Sequence, residues 1–180
     1  MVELPEEFVM DRIIESGKVA QELGAKIVGL GAFTSIVGDA GITVAKNLDI
    51  AVTSGNSYTV ATAIQGTKQA ARMMGKDLKE CRAVVVGATG SIGAASVRLL
   101  AKEVKHITLV ARHMGPLEEL AQELIEQNHC EVAVSQDIRT SLQEADIVIT
   151  VTSALDFLIE PGDLKPGAVV CDVARPRNVS

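Results

Sequence analysis

Hydrophobic and polar positions change character along the chain near Arg82. Beyond it five short apolar runs recur, "AVVVG", "HITLVA", "EVAVS", "DIVITV" and "AVVCDVA", separated by stretches with helical or loop spacing. Successive side chains of a strand point to opposite faces of its sheet, so a run that is apolar throughout is buried on both. Sheets covered on both faces are parallel, with helices as crossovers. The expectation for residues 80–180 is therefore a Rossmann-type α/β unit with a doubly wound parallel sheet. "KPGAVV" marks a Pro-Gly turn before the last strand.

The first part of the chain is less regular. From about Pro5 to Leu23 the spacing predicts a helix with Phe8, Ile13, Val19, Ala20 and Leu23 loosely on one face, stopped by Gly24. "AKIVGLGAF" reads as a buried strand entering a loop, and "GITVA" and "LDIAVTSG" as two strands or as one strand and a turn. From Asn56 the spacing is helical again, with Val60, Ala63, Ile64, Thr67 and Ala71 on one side and Gly75 as the stop. This gives a small N-terminal α/β lobe over residues 1–56, a linking helix over 57–79 and the doubly wound domain over 80–180.

Composition narrows the function classes. At 180 residues the chain can bury a full core. Its 17 Lys and Arg against 23 Asp and Glu give a net charge of −6, which disfavours nucleic acid and anionic lipid as partners. One Tyr, three Phe and no Trp leave few surfaces for stacking bases. Cys81, Cys130 and Cys171 lack the CxxC spacing of a metal or redox site, so no metal is expected and a reducing compartment fits. "MVELPEEFVMD" is acidic where a secretion signal needs positive charge, and no apolar run approaches the roughly 18 residues that span a bilayer. A cytoplasmic protein without a membrane span is expected.

The chemistry concentrates after the first strand of the regular part. Gly87, Gly90 and Gly93 give G-x-x-G-x-x-G in the stretch Gly87, Ala88, Thr89, Gly90, Ser91, Ile92, Gly93. In a strand–turn–helix setting the first glycine permits the turn, the second lets the backbone approach a diphosphate, and the third allows close contact of helix and strand. The helix then aims its free N–H groups and positive dipole end at that diphosphate. A dinucleotide site is expected, the alternative being a purely structural turn. About 20 residues past the glycines an NAD site places a carboxylate for the ribose hydroxyls; Ala111, Arg112 and His113 stand here instead. The guanidinium of Arg112 suits a 2′-phosphate, so NADP is expected over NAD unless Arg112 is an ordinary surface charge. The fourth run of this part ends in Thr150, Val151, Thr152 and Ser153, whose hydroxyls either approach the nicotinamide ribose or cap the following turn.

"LGAFTSIVG", "TSGNSYTVATAI", "VVVGATGSIGAASVRLLA", "LVARHMGPLEELAQEL" and "ADIVITVTSA", in this order, resemble the long-chain acyl-(acyl-carrier-protein) reductases and amino-acid-dehydrogenase-like relatives over nearly the whole chain. The nucleotide part is more distantly similar to shikimate dehydrogenase, which has an Asn-Arg-Thr-like turn where Ala111-Arg112-His113 stands, and "VVCDVARPRNV" is similar to the last strand of glutamyl-tRNA reductase domains. The resemblance implies NADPH-dependent reduction of a thioester to an aldehyde, with a cysteine thiolate taking the acyl group and hydride releasing the product. The family's nucleophilic cysteine lies beyond Ser180, and a stretch before the first helix is also absent, so a chain truncated at both ends is expected. Cys171 reads as a core residue, Cys81 precedes the first strand of the regular part, and Cys130 beside His129 is a poor nucleophile candidate.

On the substrate side, "GAFTS" resembles a family motif that presents Thr34 and Ser35 to a cleft between the lobes, against the alternative of hydroxyls capping a turn. Asn56 matches the Asn of the shikimate dehydrogenase Asn-Thr-Asp stretch, but Tyr58 stands in place of its catalytic Asp, and Lys46 is one position out of step with the catalytic Lys. A Lys–Asp dyad cannot form in that way, and Lys46 stays a weak catalytic candidate. Three readings remain open: an NADP-dependent oxidoreductase acting on a small-molecule or carrier-bound acyl substrate, a nucleotide-binding module or fragment without chemistry of its own, and a dehydrogenase of a small carboxylic or amino acid. The sequence does not fix the oligomeric state, a homodimer being one option.

Overall fold

The computed structural model describes residues 4–35, 37–127, 129–152, 154, 158–174 and 176–180. The chain divides into two units, Met1–Tyr58 and Thr59–Ser180. In the first, α1 (Glu6–Glu22) leads to β1 (Ile27–Gly29), a 3₁₀ turn at Ala32–Ser35, α2 (Ile42–Lys46) and β2 (Ala51–Thr53); α3 (Asn56–Met73) starts at the end of this unit. Glu6 and Glu7 favour the positive end of α1.

Three expectations for this unit are corrected. The packed face of α1 is Val9, Met10, Ile13, Ile14 and Gly17, whereas Phe8, Val19 and Leu23 are 46, 54 and 84% exposed. The face centres on Gly17, where a Cβ would lie 3.2 Å from Leu48 Cδ2, so a residue with no side chain is the point of closest approach. β1 is not a buried strand. It pairs in parallel with β2, and only Val28 and Val52 pack on Leu30, Val44 and Leu48, leaving Ile27 60% exposed. "GITVA" is the helix α2 and not a strand, because the Asp39 carboxylate accepts from the Thr43 N–H at 2.9 Å and the Thr43 hydroxyl at 2.7 Å, fixing a helical first turn.

In the second unit each apolar run becomes a strand: β3 (Arg82–Val86), β4 (His106–Val110), β5 (Glu131–Ser135), β6 (Ile147–Thr150) and β7 (Val169–Asp172). Between them lie α4 (Ser91–Leu100), α5 (Met114–Gln127) and α6 (Ile138–Leu142). The sheet is parallel throughout, in the order β5-β4-β3-β6-β7. Both faces are covered, as the apolar runs require. Ala83 and Val85 enter a core with Val60, Ile64 and Ala71 of α3, Val97 and Leu100 of α4, and Leu117 and Leu124 of α5, while Val84 and Val86 enter a second core with Leu142 of α6. α3 buries Val60, Ile64, Thr67 and Ala71 on one face, as its spacing predicts.

At the amino ends of the central strands the Asp146 carboxylate accepts from Lys165 Nζ at 2.7 Å, Lys76 Nζ at 3.2 Å and the Arg82 N–H at 3.1 Å. Among the described residues no helix is long and apolar enough to cross a membrane.

Candidate functional site

The chain winds outward from β3 in both directions, through β4 to β5 on one side and through β6 to β7 on the other. Ligands of such sheets bind outside the carboxyl ends of the strands, where the winding reverses. Val86 pairs with Val110 and with Thr150, so the turns that follow β3, β4 and β6 emerge at one sheet end. Those turns carry the glycine stretch, Ala111-Arg112-His113 and Val151-Thr152.

Gly87 leaves β3 at φ +86°, in the left-handed region. Its N–H and that of Ala88 donate to the Val110 carbonyl at 2.8 and 3.1 Å, tying the turn to β4. A Cβ at Gly87 would also lie 3.1 Å from the carbonyl carbon and oxygen of Val151, so the backbone angle and the neighbouring chain both select glycine. Gly93 turns back onto the same bend, where a Cβ would lie 2.9 Å from the Gly87 carbonyl carbon and 3.0 Å from Ala88 Cα.

Gly90 differs. A Cβ there would meet only the Gly87 carbonyl oxygen, at 3.4 Å, an ordinary contact, so nothing among the described residues requires glycine at this position. It is the N-cap of α4 with an extended backbone and no side-chain cap. Thr89, Gly90 and Ser91 are exposed while Ala88 is buried and Ile92 half-buried. The residues present fit a dinucleotide diphosphate: a tight turn closed by backbone packing at Gly87 and Gly93, and an open approach at Gly90 before the first turn of α4.

Arg112 and His113 are exposed past the end of β4, one strand from the glycine turn, and Ala111 is half-buried. The Arg112 carbonyl accepts from Gln136 Nε2 at 2.6 Å, which pins its backbone. Among the described residues its guanidinium makes no ion pair.

The hydroxyls at the end of β6 are spent within the protein. Thr150, fully buried, donates to Asn178 Oδ1 at 2.8 Å, and Thr152 donates to the same oxygen at 2.7 Å. Each hydroxyl has one proton to give, so neither has a donor left for a ligand, and the Thr152 methyl would lie 3.2 Å from a Cβ on Gly87. Ser153 lies outside the described residues. Asn178 was not legible as a partner: a buried Asn 26 residues away from Thr152 carries no local pattern.

In the first unit, "GAFTS" follows β1 and Asn56 follows β2, which places them at one end of that parallel pair. The Thr34 hydroxyl donates to the Gly31 carbonyl at 2.8 Å and the buried Ser35 hydroxyl to the Ala32 carbonyl at 2.7 Å, so both serve the local turn. Asn56 is the first residue of α3. Lys46 is exposed at the last turn of α2.

Neither Cys81 nor Cys130 is activated. Burial, reinforced by Asp146, pushes Cys81 up, and its Sγ contacts the Asp77 carbonyl at 3.2 Å. Burial and the neighbouring Glu131 push Cys130 up, the reverse of what a nucleophile beside His129 needs. Cys171, half-buried in β7, packs against the main core.

Comparison with known proteins agrees with the sheet. The family model for shikimate / quinate 5-dehydrogenase matches residues 68–180. The chain is 33% identical to the aminotransferase PigE of Serratia sp. over 174 residues, which is 96% of this chain and 20% of that protein. It is 29% identical to the long-chain acyl-(acyl-carrier-protein) reductase of Synechococcus elongatus, over 93% of this chain and 50% of the relative. Against a glutamyl-tRNA reductase of Thermosynechococcus vestitus it is 27% identical, over 93% of this chain and 40% of the relative. The chain thus spans between a fifth and a half of the length of these relatives. The solved dipicolinate synthase structure from Bacillus halodurans shares the fold, with a TM-score of 0.55 at 15% identity, over 98% of this chain and 57% of that one.

Proposed function

Because the chain belongs to the shikimate / quinate 5-dehydrogenase family, we propose that its second unit binds NADP as the nucleotide-binding part of an oxidoreductase. The observation that carries this reading is the glycine turn, closed to a side chain at Gly87 and Gly93 and open at Gly90. The backbone N–H groups at the start of α4 take the diphosphate, helped by the positive end of the helix. The exposed guanidinium of Arg112, one strand over, takes the adenosine 2′-phosphate. Val151 forms the wall against which the Gly87 turn is set. When bound, the nicotinamide supplies or accepts a hydride.

For the substrate we propose an acyl thioester reduced to an aldehyde, supported by the acyl-(acyl-carrier-protein) reductase relative, with a small carboxylic or amino acid as the other candidate class. Thr34, Ser35 and Asn56, at one end of the small sheet, are the proposed substrate-side residues. A second reading is a nucleotide-binding module without chemistry of its own: burial raises Cys81 and Cys130, so neither of these thiols supplies the thiolate that thioester chemistry needs.

Calorimetric titration with NADPH and NADH tests the cofactor. Tighter NADPH binding is expected, and preference for NADH, or binding of neither, overturns it. Turnover of a long-chain acyl thioester with NADPH separates the two readings, since only the oxidoreductase consumes the cofactor.

A further inference from the structure

Asn178 is fully buried, and its side chain and backbone hold together the chain that leaves β6. Its Oδ1 accepts from the hydroxyls of Thr150 at 2.8 Å and Thr152 at 2.7 Å, and its Nδ2 donates to the Ala154 carbonyl at 3.5 Å. Its own carbonyl accepts from the N–H groups of Leu158 at 2.9 Å and Ile159 at 3.1 Å. Its N–H donates to the Asp172 carboxylate at 2.8 Å, which also accepts from Ala174 at 3.0 Å and Val179 at 3.1 Å. Asp172 ends β7 and pairs with Thr150 of β6, so the post that carries Asn178 is itself anchored in the sheet.

The two threonines bracket Val151. With both hydroxyls fixed on one oxygen, the Val151 peptide has little freedom to rotate. That peptide is the one whose carbonyl carbon and oxygen would lie 3.1 Å from a Cβ on Gly87. The Val151 N–H donates to the Val86 carbonyl at 2.9 Å, one residue before the glycine turn.

We infer that Asn178 is a positioning residue of the nucleotide site: by gripping Thr150 and Thr152 it sets the Val151 wall that faces Gly87. Its role is to shape the site through Val151. The inference rests on the nucleotide reading of the glycine turn. A staple that merely held the chain together would cost stability wherever it sat in the sheet, with no selective effect on the ligand.

The test compares Asn178→Ala with Asp146→Asn in the whole chain, because Asp146 stabilises the opposite, amino ends of the strands. The readouts are the NADPH Kd and amide hydrogen exchange at Gly87 and Val151 in the nucleotide-free protein. Asn178→Ala is expected to raise the Kd roughly tenfold or more and to speed exchange at both amides, with Asp146→Asn staying within about twofold of wild type. An unchanged Kd in a folded Asn178→Ala, or equal losses in the two variants, overturns the inference. Should Asn178→Ala not fold, Thr152→Val decides: a weaker Kd with faster exchange at Gly87 and Val151 supports it, and wild-type values for both overturn it. If the wild type binds neither NADPH nor NADH, the nucleotide reading falls and the role inferred for Asn178 falls with it; faster exchange at Gly87 in Asn178→Ala would then mark it as a residue that orders the turn alone.

Discussion

Gly93 packs against Gly87 so closely that a Cβ on Gly93 would lie 2.9 Å from the Gly87 carbonyl carbon. Both partners are backbone, so no side chain can give way. Gly93→Ala must push α4 off the turn, and overpacking of this kind costs about 1–3 kcal/mol. At Gly90 the corresponding Cβ has room, 3.4 Å from the Gly87 carbonyl oxygen, but fills the proposed approach to the diphosphate. The expected outcome is a split: Gly93→Ala lowers the melting temperature by several degrees, while Gly90→Ala melts near wild type and loses NADPH affinity. Thermal unfolding and titration of both variants check it. Full NADPH affinity in Gly90→Ala would remove that residue from the site.

The larger unit was legible because runs such as Ala83–Val86 and Ile147–Thr150 are buried on both faces and need no partner to be recognised. The smaller unit was not, for local reasons. The β-branched Ile42, Thr43 and Val44 favour a strand by propensity, and two hydrogen bonds from Thr43 to Asp39 override it. The face of α1 centres on Gly17, which adds nothing to a hydrophobic stripe. The place of the glycine turn after β3 and of Arg112 after β4 could be read from spacing alone. The direction of the Thr150 and Thr152 hydroxyls could not, because it is set by Asn178 from beyond the next strand.

Ser96 sits fully buried in α4, and its hydroxyl has no hydrogen-bond partner among the described residues. A buried, unsatisfied hydroxyl carries a desolvation penalty, and Ala is the better helix former. Ser96→Ala is therefore expected to stabilise the unit by about 1 kcal/mol. Urea unfolding at matched slope measures the change. A clear loss of stability would mean that the hydroxyl is satisfied by a group outside those described, such as an ordered water.

Acid should weaken the protein partly through Asp146. Burial on its own would raise this carboxyl, but hydrogen bonds from Lys165 Nζ, the Arg82 N–H and Lys76 Nζ outweigh it and hold it at about 2, below its ordinary 3.8. A carboxyl lowered by folding stabilises the native state above its unfolded value, and the gain is withdrawn as pH falls from 3.8 towards about 2. The shift corresponds to about 2 kcal/mol near neutral pH. In urea titrations Asp146→Asn should be less stable than wild type near neutral pH, and the gap should close as the wild-type carboxyl takes up its proton. A gap that persists in acid would assign the loss to packing and not to charge.

The preference proposed for NADP rests on Arg112. Its backbone is pinned by Gln136, the residue is exposed, and it pairs with no carboxylate among the described residues, so no such ion pair has to be broken for it to meet an anion. Hydrogen bonds to a charged group contribute about 1.5–3 kcal/mol, equivalent to roughly tenfold to hundredfold in affinity. Arg112→Ala should therefore raise the NADPH Kd by that order and leave the NADH Kd nearly unchanged, because only NADPH carries the 2′-phosphate. Arg112→Asp should reverse the preference, since a carboxylate there repels the phosphate and accepts from the ribose hydroxyl of NADH. Added salt should weaken NADPH binding to the wild type more than to Arg112→Ala, the attraction being a partly screened surface pair. An equal loss for both nucleotides in Arg112→Ala would place the guanidinium on the shared diphosphate, and no loss for either would place it outside the site; in both cases the choice of NADP would lose its physical basis.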